Sequence, residues 1–312
     1  MTHQEFDEPH RLASAPVVVG VDNSEGAVRA VHWAANYAAQ RQRRLHIVHG
    51  LDLVAISGGV GPYAVATPSL VDAVKAAGAA AIARAELAAK GYEPELTVSS
   101  AVSTDNPAQV LIDLSESAFA VVIGATGTAG TLSHLGSTLF SVTSHARGAV
   151  VVVRPDPEAA NAVRGSGPVV VGVDGSRVSE AAIGAAFAEA AERGVGLVAV
   201  HAWSDWDTGQ FAGEVIPVVT AELEGVEEAV LAERLAGWQE KYPDVEVTRE
   251  VFAAGPAARL RELSKIAQLV VVGNRGRGGF MGMLLGSTAH SLVQHAHCPV
   301  MVVHLDDKET KR

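Results

Sequence analysis

The chain has little sulfur and few aromatic rings. One of its 312 residues is cysteine, Cys298, so an intrachain disulfide framework is excluded and the composition fits a reducing cytoplasm. Aromatic residues are 5% of the chain against 48% hydrophobic overall, so Ala, Val and Leu must fill the cores. No apolar run approaches the roughly 18 uninterrupted residues that would suggest a membrane span. The opening stretch MTHQEFDEPHRLASAP is acidic and lacks the apolar segment of a secretory signal. Basic residues number 24 against 35 acidic, a formal charge of −11. That balance argues against nonspecific nucleic-acid binding and against an anionic membrane surface. Cys298, set before Pro299 in an apolar segment, is expected to be a buried small hydrophobe rather than a reactive thiol.

What the chain does have is itself, twice. Pro16-Val-Val-Val-Gly-Val-Asp-Asn-Ser24 and Pro168-Val-Val-Val-Gly-Val-Asp-Gly-Ser176 agree at eight of nine positions, 152 residues apart. Val121-Val-Ile-Gly124 answers Val270-Val-Val-Gly273, and the Val runs ending at Val153 and Val303 answer each other. One fold used twice is expected, with small indels, rather than a short-period solenoid. The expected boundaries are a tail over 1–15, a first unit over 16–153, a Pro- and Gly-containing linker over 154–167, a second unit over 168–303 and a tail over 304–312.

Each unit opens with an uninterrupted β-branched run ending in Asp, the pattern of a strand buried on both faces in a parallel sheet. Ala27, Val31, Ala34 and Ala38 then share one helical face, with Ser24 and Ser176 placed as N-caps. A second strand ends at His49 or His201. A variable loop and a long helix follow; in unit one the helix is expected to end at Lys90-Gly91, where glycine supplies a left-handed cap. In unit two Leu231, Leu235 and Trp238 form the apolar stripe, and Glu222, Glu224, Glu227 and Glu228 read as a solvated acidic helix start. A third strand, a helix opening at Pro107 or Pro256, a fourth strand, a last helix and a final Val strand complete the unit. Alternating strands and helices predict an α/β fold, two tandem doubly wound parallel five-stranded sheets with right-handed crossovers. Ligands of such sheets bind beyond the carboxyl ends of the strands at the topological switch point, which brings Asp174 close to Gly273.

The stretch GNRGRGGFMGMLLGST, residues 273–288, is the most distinctive segment. It is not a Walker loop, since no lysine precedes Ser287, and it is not a dinucleotide fingerprint, since Met281 stands where G-x-G-x-x-G needs its last glycine. What remains is Gly273, two residues, Gly276, nine residues, then Gly286-Ser287-Thr288. Gly276, Gly278 and Gly279 let backbone N–H groups approach an anion. The helix starting at Ser287 and Thr288 points free N–H groups and its dipole at the same anion. Arg275 and Arg277, flanking Gly276 and following Asn274, are placed to screen phosphate charge.

The strand-Asp-x-Ser opening, the G-x2-G-x9-G-S/T loop and the closing His297-Cys-Pro-Val-Met-Val-Val303 together resemble the universal stress protein family, and more closely its tandem, ATP-binding actinobacterial type. The resemblance covers nearly the whole chain and implies a fold like that of the adenine nucleotide alpha hydrolases, close to a Rossmann sheet. It implies ATP, with Mg2+, as the ligand. Gly172 and Asp174 would stand at the nucleoside with the segment from Ala202, and Asp205 would be a ribose partner. Gly273, Gly276, Gly286, Ser287 and Thr288 would contact phosphates. In unit one the matching positions are Gly20, Asp22, Gly50, Gly124, Gly127, Gly136, Ser137 and Thr138. That loop has eight residues between Gly127 and Gly136 instead of nine, and it has no arginine, so weaker nucleotide binding is expected there. The resemblance also implies that the final strands, Val150–Val153 and Val300–Val303, pair the two units edge to edge, with further homodimerisation open.

Residues for efficient catalysis are scarce. A nucleotide hydrolase positions a water and holds Mg2+ with acidic groups, and Asp174 is the one acid placed near the pocket. His295 and His297, two apart, fall on different sides of a helix and do not read as a metal site. Three functions stay open: a nucleotide-binding regulatory module for stress, a slow ATPase or adenylate-forming enzyme, and a dimerising scaffold with a degenerate site.

Overall fold

The structure is a computed structural model that describes residues 14–58, 68–126, 137–204, 217–277 and 284–305. The chain divides between Val153 and Arg154 into two compact units.

In unit one the strands are β1 (Val17–Gly20), β2 (Leu45–Gly50), β3 (Val98–Ser103), β4 (Ala120–Gly124) and β5 (Ala149–Val153). They form a parallel array in the order β3-β2-β1-β4-β5. In register, Gly20 pairs with Val48 and Val19 with Val122. Val17, Val18 and Val19 are consecutive and all buried, which a strand permits only when both sheet faces are covered. The cover comes from α1 (Glu25–Gln40), α3 (Pro68–Tyr92), α4 (Pro107–Ser115) and α5 (Ser137–His145). A short helix, α2 (Leu53–Gly58), lies where the sequence reads as loop.

Unit two repeats the plan. Its strands β6 (Val169–Val173), β7 (Leu197–Ser204), β8 (Val247–Ala254), β9 (Leu269–Gly273) and β10 (Val300–Val303) are parallel in the order β8-β7-β6-β9-β10. Helices α6 (Arg177–Arg193), α7 (Pro217–Lys241), α8 (Pro256–Leu263) and α9 (Ser287–His295) connect them. With so few rings available, aliphatic side chains make most of the core. Phe187 is a fully buried exception, and its ring clusters with those of Trp238 and Tyr242, each pair in contact.

Local expectations fare unevenly. Ser24 and Ser176 cap α1 and α6 through Ala27 N–H and Ser179 N–H, and the Ala27–Ala38 face is buried. Helix α3 runs through Gly91 to Tyr92. Gly91 is not among the glycines with positive φ, so the expected left-handed cap at Lys90-Gly91 does not form.

Residues 154–167, expected as a linker, pack against unit two. Arg154 donates from Nε to Ala296 O and from Nη1 to Val293 O, both at 2.8 Å, satisfying carbonyls left open at the end of α9. Asp156 is 1% exposed and receives Arg164, the Glu158 N–H and the His297 ring. The expected tails are packed where they adjoin the units: Ala15 is buried with its carbonyl accepting from Arg43, and His304 is buried.

Candidate functional site

Each sheet reverses its winding direction between its first and fourth strands, so connections leave to opposite sides and a crevice opens at the carboxyl ends. Unit two has a cleft of about 360 Å3 there. Gly172 and Asp174 reach it from the end of β6, Ala202 from β7, and Gly273 from β9. Gly276, Arg275 and Arg277 line it from the glycine loop, and Gly286, Ser287 and Thr288 from the start of α9.

The start of α9 has an open donor set. Its N-cap, Gly286, has no side chain to accept from the first turn, so N–H groups that other helices satisfy with Ser24, Ser176 or Asn106 face the cleft. Hydroxyls of Ser287 and Thr288 stand beside them. The loop is held in place by backbone bonds: Asn274 N–H donates to Val303 O, and Gly286 N–H donates to Asn274 O, both at 2.8 Å. Asn274 therefore ties the loop down and is not among the residues lining the cleft.

Asp174 joins the opposite wall to the loop. Its Oδ1 accepts Ser176 N–H and its Oδ2 accepts Arg277 N–H, each at 2.9 Å. A side chain at Gly276 would collide with Asp174 Oδ2, so the loop approaches this closely only because position 276 has no Cβ. Arg275 and Arg277 are exposed, with long contacts to Leu284 O at 3.3 Å and Gly175 O at 3.4 Å.

Unit one has the corresponding cleft, about 680 Å3, lined by Gly20, Asp22, Gly50, Gly124, Ser137 and Thr138 among others. Asp22 Oδ1 accepts from Ser24 N–H at 2.9 Å and from its hydroxyl at 2.5 Å. The two clefts differ behind the fourth strand. Gly124 lies against the backbone of Gly26, whereas Gly273 lies against the Val178 side chain. Of the residues singled out from sequence, Asp205, Gly127, Gly136, Gly278 and Gly279 lie outside the described residues.

The sequence reading missed His49, near the end of β2, as a residue lining the unit-one cleft, and did not see that its counterpart His201, within β7, makes the same backbone contact. His49 Nδ1 lies 2.7 Å from Val21 O, and His201 Nδ1 lies 2.7 Å from Val173 O. His201 Nε2 is also 3.1 Å from Glu227 Oε2, so Glu227, expected to be simply solvated, is partly exposed and is also a partner of the second-strand histidine. Repetition at the end of each second strand was the available signal. His297 Nδ1 lies 3.3 Å from Asp156 Oδ1, and no group of three or more His, Cys, Asp or Glu side chains that could hold a metal occurs among the described residues.

Residues 14–154 and 166–304 each match the sequence model of the Universal stress protein family. The chain belongs to that family. A universal stress protein of Mycolicibacterium smegmatis is 43% identical over 92% of this chain and 96% of its own length. One from Mycobacterium tuberculosis is 40% identical over the same shares. Among solved structures, a universal stress protein from Archaeoglobus fulgidus superposes with a TM-score of 0.64 at 17% identity, over 95% of this chain and 98% of that one. Tandem family domains in an α/β fold with parallel sheets agree with the repeat read from the sequence. No helix among the described residues is long and apolar enough to cross a membrane.

Proposed function

We propose that the chain binds adenine nucleotides and acts as a nucleotide-dependent regulatory module in the stress response, with ATP held in unit two. The observation that carries this reading is the uncapped start of α9 facing the same cleft as the glycine loop, Arg275 and Arg277. Unpaired N–H groups, a helix dipole and two guanidinium groups suit a polyphosphate. Asp174 stands on the opposite wall, where a nucleoside hydroxyl or amino group can donate to it.

Binding suits this cleft better than turnover. Asp174 is the one carboxylate lining it among the described residues, and it already accepts two N–H groups. Mg2+ would therefore be held chiefly by phosphate oxygens and water. ATP at a hundredfold excess over Kd should stabilise its unit by about 2.7 kcal/mol. Differential scanning calorimetry of the full chain with and without ATP reads this as a rise of several degrees in one transition; an unchanged thermogram contradicts the reading. Denaturing the purified chain and identifying any released nucleotide names the working ligand.

A further inference from the structure

We propose that the two clefts have diverged, and that unit one takes a ligand of low negative charge, an adenosine-type nucleoside or its monophosphate, held through His49. The inference rests on the nucleotide-binding reading above and assigns a ligand class to its second site. Three observations support it.

The first is charge. Asp22 is the only charged side chain lining the unit-one cleft among the described residues, whereas Arg275 and Arg277 line the unit-two cleft. Residues 124–136 contain neither arginine nor lysine. Arg84, on α3, bonds Asn23 beside this cleft, but Arg234 stands against Gly175 in unit two. A cation at that position is common to both units and does not separate them. A triphosphate would meet Asp22 and no cation particular to this cleft.

The second is a hydrogen-bonding atom left open. A carbonyl oxygen only accepts, so His49 Nδ1 must donate to Val21 O, which leaves Nε2 of the neutral ring as an acceptor. The ring lines the cleft. In unit two the same nitrogen of His201 is engaged by Glu227.

The third is space. Gly78 of α3 faces the His49 ring, and a Cβ there would meet His49 Cδ2 at 2.9 Å and Leu51 Cδ2 at 2.6 Å. Where the long helix of unit two presents Glu227 to His201, α3 has a glycine beside the His49 ring, and among the described residues no carboxylate stands there. The cleft is also the larger of the two, about 680 Å3 against 360 Å3. A nucleoside amino or hydroxyl group fits there as donor to His49 Nε2.

Isothermal titration of the full chain with adenosine, AMP and ATP, on wild type, His49→Leu, His49→Gln and Arg275→Ala/Arg277→Ala, tests this. Removing one hydrogen bond predicts that the adenosine-to-ATP affinity ratio falls about fivefold to tenfold in His49→Leu. His49→Gln, whose amide oxygen can accept, recovers part of that loss. The double arginine variant shifts the ratio the other way by about tenfold or more. A ratio unmoved by His49→Leu, or ATP filling two equal sites per chain, overturns the divergence while leaving nucleotide binding intact. No binding of any of the three ligands overturns the underlying reading and the divergence with it.

Discussion

Asp174 and Arg277 are 103 residues apart in the chain, yet Asp174 Oδ2 accepts the Arg277 N–H at 2.9 Å. That bond links the end of β6 to the glycine loop and closes one side of the unit-two cleft. Asp174→Ala removes both this anchor and the acceptor facing the proposed nucleoside. A loss of one charge-assisted hydrogen bond predicts about tenfold weaker ATP binding or more. Titration of the variant against wild type measures it, and equal affinities would show that the carboxylate is a bystander.

Asp156 anchors the 154–167 segment. Burial alone would raise its carboxyl, but the Glu158 N–H, Arg164 and the His297 ring outweigh burial and hold it below its ordinary value. A folded pKa below the unfolded one means that the stabilisation is present above the ordinary carboxylate range. It is lost as pH falls through the depressed value. Asp156→Ala also leaves Arg164 facing a buried gap. We expect a loss of about 3 kcal/mol at neutral pH, with the difference from wild type shrinking in acid. Denaturant unfolding at pH 7 and pH 3 reads both.

Arg154 closes the last turn of α9 with two 2.8 Å bonds. Its burial lowers the guanidinium to about 10, so it stays charged at neutral pH. Arg154→Ala leaves the Val293 and Ala296 carbonyls without these donors and is expected to cost about 2 kcal/mol. A Tm unchanged from wild type would mean that water replaces the side chain.

The repeat and its glycines were legible in the sequence because they act locally. A Val run ending in Asp and Ser specifies strand, turn and cap within nine residues. The linker segment was not legible in the same way. Its prolines, glycines and polar residues say that no long helix or strand forms there. They do not say that Asp156 meets His297, 141 residues away. Glu227 misled for the same reason: read as part of a solvated helix start, it lies well inside α7, which begins at Pro217, and there it meets His201. Helix α2 is six residues long, too short for periodicity to register.

Cys298 is fully buried, and that burial pushes its thiol up to about 12. Thiolate is the reactive form, so at neutral pH the native chain should react with a disulfide reagent far more slowly than the unfolded chain. A stopped-flow comparison in buffer and in denaturant checks this; equal rates would contradict the burial.

The most direct test of the account is ATP titration of the full-length Gly276→Val variant beside wild type. Valine at 276 cannot share space with Asp174 Oδ2 where it now lies, so the carboxylate or the loop must leave the arrangement that joins them at the cleft. The account predicts that ATP affinity at unit two falls by about tenfold or more while the chain stays folded by circular dichroism. Unchanged ATP affinity in a folded Gly276→Val chain would contradict the claim that this loop and helix start hold the phosphates.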